Sequence, residues 1–326
     1  MANIKHRMQS TLHNLYQQGR GQKKKEDPEH RFIHSKVTLQ TYLREVDRFS
    51  DWLKAQGVKM RCTEQEAARQ VPAYLQSLIQ AGRSPNTVHT AAAALCKALP
   101  GCGLAMSQLP HPRRTHAPKK GRGAAPSLHR RSDADVLSPR YRRLVDFAQV
   151  AGLRRDEYAQ LRGRDLVRIG GQIYVLVEQG KGGKRQYQLI DQEDAAVVER
   201  CFSGIGQNEN VFSPSEMNNK INLHRFRREH AQEMYRRYLE RMATDPAYRD
   251  ELLGLVKEAF RRTGQDWRRN PDMRRLAVPY VCRGHVRRSL GNAGRSVSYD
   301  RLALMAVSVL HLAHWRCDVT VKNYMQ

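Results

Sequence analysis

Gly152-Leu153-Arg154, Glu157, Leu161 and Asp165-Leu166 are followed by Ile173-Tyr174-Val175-Leu176-Val177, Gly180-Lys181-Gly182-Gly183-Lys184-Arg185 and Gln186-Tyr187-Gln188-Leu189-Ile190. The first part is a helix-start pattern: Arg154 leaves the turn before the helix while Leu153 and Leu161 face a core. The second places two apolar runs around a Gly-Lys-Gly-Gly turn, which predicts a β-hairpin carrying lysines at its tip. Upstream, Tyr141, Leu144, Val145 and Ala148 predict a helix from about Pro139 to Ala151-Gly152. A hairpin set among helical patterns predicts a mainly α chain with a small β-hairpin or sheet, an α+β fold.

Working outward, residues 110–131 hold His, Pro, Gly and Ala with Arg113, Arg114, Lys119, Lys120, Arg122, Arg130 and Arg131 and no acid. Such a stretch reads as a basic interdomain linker, either a solvated hinge or a segment suited to lie along a phosphate backbone. Before it, Leu39, Tyr42, Leu43, Val46, Phe49 and Leu53 predict one amphipathic helix ending at Gly57. Tyr74, Leu75, Leu78 and Ile79 predict a second, and Ser84-Pro85 start a third with Val88, Ala91, Ala92, Leu95 and Leu99. Residues 35–109 thus form a helical domain, and 1–34 read as a basic N-terminal arm. Residues 132–326 form a second domain. Within it, about 222–277 reads as a charged helical insert, a solvated pair decorating the domain, and the last fifty residues return to helix.

The chain has 326 residues, 57 Lys and Arg against 32 Asp and Glu, and a formal net charge of +25. That excess requires a polyanionic partner, nucleic acid first, because each neutralised phosphate releases counterions. An acidic membrane surface is the second candidate, and no basic amphipathic anchor helix supports it. No stretch approaches the roughly 20 apolar residues of a bilayer-spanning helix. The first residues lack the apolar core of a signal peptide, so the expected location is the cytoplasm, associated with the nucleoid. Six cysteines without a CxxC pair read as reduced structural thiols rather than a zinc knuckle or a disulfide framework. With 40% hydrophobic residues the chain can build cores.

Singly, the chemically capable residues have ordinary readings: Arg154 as a surface arginine, Lys181 as a turn lysine, Trp315 as core, Tyr324 as one of 13 tyrosines. Their order is what speaks. Arg154 and Lys181 precede His285-Val286-Arg287-Arg288, which on a helix puts His285 and Arg288 on one face at i, i+3. Trp315 then precedes Tyr324 by nine residues. In these residues the sequence resembles the tyrosine recombinase (phage integrase) family over roughly 35–326. Gly-Leu-Arg-x-x-Glu-x-x-x-Leu-x-x-x-Asp-Leu and Gly-Lys-Gly-x-Lys are the specific matches. A Trp rather than a His before the tyrosine is Cre-like, and the length and basic ends are similar to prophage or mobile-element integrases.

The resemblance implies a helical core-binding domain joined to a catalytic domain. It also implies a site-specific recombinase that cleaves and rejoins DNA strands through a 3′-phosphotyrosine, integrating or excising a mobile element. Implied partners are double-stranded DNA, a homotetramer on synapsed DNA and DNA-bending or directionality accessory proteins. No cofactor, metal or ATP is implied. Two guanidiniums, Arg154 and Arg288, would clamp the charge developing on the non-bridging phosphate oxygens. Lys181 would protonate the leaving 5′ oxygen, with Lys184 as its rival and otherwise a DNA contact. His285 would hold or shuttle a proton, and the Trp315 indole N–H would bond a phosphate oxygen. Tyr324 would be the nucleophile, and Glu157 would orient the basic residues.

His314 rivals Trp315, because Leu312-Ala313-His314 is similar to the family's Leu-Gly-His; the nine-residue spacing selects Trp315. Ser289 stands where relatives often carry a second His. Relatives continue past the tyrosine with a helix that docks into a neighbouring subunit, whereas Met325 and Gln326 alone follow it here, which leaves the mode of subunit docking open. Two other classes share parts of the pattern. A DNA-binding protein with a decayed site would lack competent residues, and all are present; a type IB topoisomerase would share the chemistry but not the separate helical N-terminal domain.

Overall fold

The computed structural model describes residues 3–22, 26–110, 112, 136–181 and 183–325, the side chains of His285 and Ser289 excepted. The linker residues Arg113, Arg114, Lys119, Lys120 and Arg122 lie outside this description. The chain divides into two compact units, Met1–Thr115 and His116–Gln326.

The first unit is helical: α1 (Ile4–Gly19), α2 (Lys36–Ala55), α3 (Glu64–Gln80) and α4 (Pro85–Ala98). Sequence signals explain the starts. Ser35, Thr63 and Ser84 accept from the backbone N–H three residues on, Thr63 and Glu66 close a reciprocal capping box, and Pro85 occupies the first turn. Leu39, Val46, Phe49 and Leu53 meet Val71, Leu75, Val88 and Leu95 in one core.

The expected arm over 1–34 is corrected here. Residues 4–19 are α1, whose Ile4, Met8 and Leu12 are fully buried in that core. Their i, i+4, i+8 spacing is a narrow apolar stripe in a polar, basic segment. Composition hides the stripe, yet burying three such side chains stabilises by about 1.5–3 kcal/mol each.

The second unit is built on an antiparallel sheet in the order β1-β2-β3: Leu166–Ile169, Gln172–Gly180 and Lys184–Ile190. The hairpin stands as expected, and β1 is an addition, since Leu166 reads from sequence as part of a helix. Strand alternation feeds two cores. Ile173, Val175 and Val177 pack with α5 (Arg142–Val150), α6 (Arg155–Gln160) and α7 (Ala195–Phe202). Tyr174 and Leu189 face the other way, toward α8 (Leu223–Thr244), α9 (Tyr248–Arg262) and α11 (Arg301–Ala306). Tyr280–Val281 and Ser298–Tyr299 (β4 and β5) pair around α10 (Gly284–Asn292). A π-helical turn, Val307–His311, follows α11, and α12 (Cys317–Tyr324) ends the unit. The architecture is α+β.

A second correction concerns 222–277. Far from decorating the domain, α8 runs through its interior, with Phe226, Arg227, His230, Ala231, Met234 and Tyr238 buried. Its many charges mislead because most sit on one side or pair with Asp191, Glu193 and Asp194, as Arg237 and Arg241 do. Among the described residues, no helix is long and apolar enough to cross a membrane.

Candidate active site

Tyr324 ends α12 with 5% of its surface exposed. Its hydroxyl accepts a hydrogen bond of 3.0 Å from Nε of Arg227, whose guanidinium carbon sits 5.4 Å from the phenol ring centroid. Arg227 is 1% exposed. It donates further to the carbonyls of Gly152 and, at 2.7 Å, Leu312, and one Nη lies 4.0 Å from a Glu157 oxygen. Burial lowers its pKa, the Tyr324 and Glu157 charges oppose that effect, and Arg154 adds to it. A guanidinium stays protonated through such a shift.

Arg154 stands at the start of α6. Glu157 takes its backbone N–H at Oε2 and its Nη1 at Oε1, both at 2.7 Å, so one carboxylate satisfies an open N–H at the helix start and orients the guanidinium. Arg154 Nη2 reaches the same Leu312 carbonyl at 3.4 Å, so two guanidiniums converge on one backbone oxygen. Gly152 is needed for this approach: a Cβ there would collide with the His311 carbonyl.

Two histidines flank the phenol. The His224 ring lies 5.5 Å and the His314 ring 5.1 Å from the Tyr324 ring. His314 is pushed down to about 3 by burial, helped by the charges of Arg227, Arg154 and Lys181, and burial with Arg227 and Arg228 also lowers His224. Both are therefore neutral at pH 7; His314 is too weak a base to take a proton and its Nε2 faces Arg227 Nη2 at 3.4 Å, which leaves His224 as the proton acceptor beside the phenol. Lys181 and Lys184 from the hairpin, with Gln186, complete the same cleft of about 380 Å³ as Arg154, His224, His314, Trp315 and Tyr324.

The structure thus brings together Arg154, Glu157, Lys181, Lys184 and Tyr324. Arg288 is exposed on α10, whose described side chains do not line the cleft, and the side chain of His285 lies outside the described residues; a second His-x-x-Arg, His224 and Arg227, stands against Tyr324. Leu223-His224-Arg225-Phe226-Arg227 carried that signal in the sequence. The apolar Leu223 and Phe226 beside it mark a core-facing helix, a signal masked by the many charges that follow.

Trp315 lines the rim, but its ring packs edge-on against Phe260 at 4.9 Å while His314 turns to the tyrosine. Residues 313–316 are not helical, and Ala313 and Trp315 adopt φ of 48° and 61°. This reversal absorbs one residue, so counting back nine from Tyr324 lands on Trp315, whereas the ring beside the phenol is that of His314. Left-handed Ala costs about 1 kcal/mol. Ala313→Gly is expected to stabilise the protein by about 0.5 kcal/mol once the looser unfolded chain is set against the relief. Denaturant unfolding checks it, and a destabilised variant would show that Ala313 is not strained.

Behind the cleft, His230 Nε2 and His311 Nδ1 are 3.1 Å apart, and Tyr238 Oη is 2.6 Å from His311 Nε2. His230 Nδ1 meets the Gln149 carbonyl at 3.2 Å. Burial pushes His230 down to about 4 and His311 well below its usual value. The unfolded chain, with histidines near 6.5, binds more protons between about pH 4 and 6.5, so their contribution is full above that window and lost as pH falls through it. Between pH 7 and 5, His230 alone is expected to remove about 2 kcal/mol. Urea midpoints of the full chain at the two pH values measure this; equal midpoints would contradict it. Among the described residues no group of three or more His, Cys, Asp or Glu side chains is placed to hold a metal ion.

No family model and no curated protein matches the sequence. Among solved structures, the chain is similar to the XerH site-specific recombinase bound to palindromic difH substrate in a post-cleavage complex. The identity is 15%, over 68% of this chain and 72% of that one, with a TM-score of 0.37. It is also similar to XerA recombinase, at 16% identity over 70% and 85% of the two chains, with a TM-score of 0.24.

Proposed function

We propose that this protein is a site-specific DNA recombinase that cleaves and rejoins strands through a 3′-phosphotyrosine on Tyr324, serving the integration or excision of a mobile element. The observation that carries it is the buried Arg227 donating to Tyr324 Oη at 3.0 Å, in one cleft with Arg154, Lys181, His224 and His314. Donation from Arg227 leaves the phenol proton for the neutral His224 to accept. Tyr324 Oη attacks phosphorus, the P–O5′ bond breaks, and Lys181 delivers a proton to the departing 5′ oxygen.

Charge building on the non-bridging oxygens meets Arg154 and Arg227, fixed in advance by Glu157 and the Gly152 and Leu312 carbonyls. These cations supply the stabilisation that a metal ion gives other phosphoryl-transfer enzymes, and the phosphotyrosine keeps the bond energy for rejoining without ATP. The net charge of +25 suits duplex DNA as substrate, a homotetramer would hold two synapsed duplexes, and accessory proteins would bend them. The linker cations Arg113, Arg114, Lys119, Lys120 and Arg122 belong to the same reading as backbone contacts.

The test is incubation with duplexes of the DNA flanking the gene, nicked beside each candidate cleavage position so that the short 5′-OH fragment diffuses away. A protein–DNA adduct that survives a denaturing gel is expected. Exchange between two such sites, without relaxation of plasmids that lack them, separates recombination from type IB topoisomerase activity. No adduct on any flanking duplex would overturn the proposal.

A further inference from the structure

Resting on that reading, we infer that Gln186 is a positioning residue that ties the lysine loop to the arginine clamp. Gln186 lies on β3 opposite Val177, two residues past Lys184, and is 5% exposed. Its Nε2 donates at 3.1 Å to Glu157 Oε1, the same oxygen that takes Arg154 Nη1 at 2.7 Å. One carboxylate oxygen therefore joins the hairpin to the first arginine.

The other end of the link is Gly180. Strand pairing shifts register between Val177 and Gly180, and Gly180 then pairs with Lys184 while its carbonyl accepts from Gly183 N–H at 2.9 Å, closing the turn that holds Lys181. A Cβ on Gly180 would stand 3.1 Å from both the amide carbon and Nε2 of Gln186 and 2.9 Å from the Lys184 carbonyl. Gly180 has an ordinary negative φ, so its missing side chain serves close approach rather than backbone freedom. The Gln186 amide thus lies flat against the base of the loop and reaches Glu157 from there. An irregular strand end holding a long lysine needs such a fixed floor, because proton transfer to O5′ depends on hydrogen-bond reach in the reacting complex.

The consequence is specific. Loss of the amide should injure proton delivery by Lys181 and leave the clamp, still held by two Arg154–Glu157 hydrogen bonds, in place. A substrate whose bridging 5′ oxygen is sulfur reads this directly, since P–S cleavage releases a thiolate that needs no proton. Gln186→Met keeps the length and removes the amide; Gly180→Ala pushes the amide away from the other side and serves as an independent variant.

In single-turnover cleavage, each is expected to lose about 10- to 100-fold on ordinary DNA, a fraction of a full general-acid effect. On the sulfur substrate each should return to within about threefold of wild type, as Lys181→Ala does, whereas Arg154→Ala stays slow on both. A wild-type rate on ordinary DNA, or a defect that persists on sulfur in both variants with unchanged thermal unfolding, would overturn the coupling. A Lys181→Ala variant that sulfur does not rescue would overturn the acid assignment, and the coupling with it. Failure of the wild-type adduct would instead refute the recombinase reading.

Discussion

Tyr324→Phe is expected to bind DNA as the wild type does and to form no covalent adduct. The substitution removes one oxygen, the atom that attacks phosphorus, and leaves a ring of the same shape between His224 and His314. It also takes away the acceptor of Arg227 Nε, so a buried donor loses its partner at a cost of about 1–3 kcal/mol. The variant should therefore unfold at lower denaturant concentration than the wild type while its DNA affinity holds. The gel assay on nicked duplex reads the first effect and denaturant unfolding the second. An adduct persisting in Tyr324→Phe would place the nucleophile elsewhere.

The second large effect separates two arginines. Arg227→Ala is expected to slow cleavage by at least about 100- to 1,000-fold, the cost of removing one preorganised donor to a developing oxyanion. Stability should fall as well, since the Gly152 and Leu312 carbonyls lose a buried donor. Arg227→Lys keeps a charge but cannot reach Tyr324 and both carbonyls together, and should recover little. Arg288→Ala, at an exposed position, should change stability by less than about 0.5 kcal/mol and leave cleavage near wild type. Comparing single-turnover rates of Arg227→Ala and Arg288→Ala decides the matter. A large loss with Arg288→Ala and a small one with Arg227→Ala would restore the His285-Arg288 pair.

The contrast shows which information local sequence carries. Helices α2, α3 and α4 and the hairpin are written in short-range chemistry: caps at Ser35, Thr63 and Ser84, and alternation on both sides of Gly-Lys-Gly-Gly. Glu157 three residues after Arg154 is equally local, because its carboxylate reaches back to the Arg154 N–H within one turn. These features depend on neighbours in the chain, so the sequence determined them.

The choice among equivalent motifs is a different matter. His224-x-x-Arg227 and His285-x-x-Arg288 have the same spacing, and what separates them is that α8 passes through the core beside α12 whereas Arg288 faces outward on α10. Likewise His314 and Trp315 are adjacent, and a left-handed residue on each side of His314 sends one ring to Tyr324 and the other to Phe260. Side-chain direction at such a reversal follows from packing across about 50 to 100 residues of separation, which no local pattern encodes. Amino-acid order alone thus determined the α+β class, the hairpin with its lysines and the Arg154–Glu157 unit. Tertiary structure decided which arginine and which histidine stand against Tyr324, because burial and long-range hydrogen bonds, rather than spacing, fix where a charged side chain can be held.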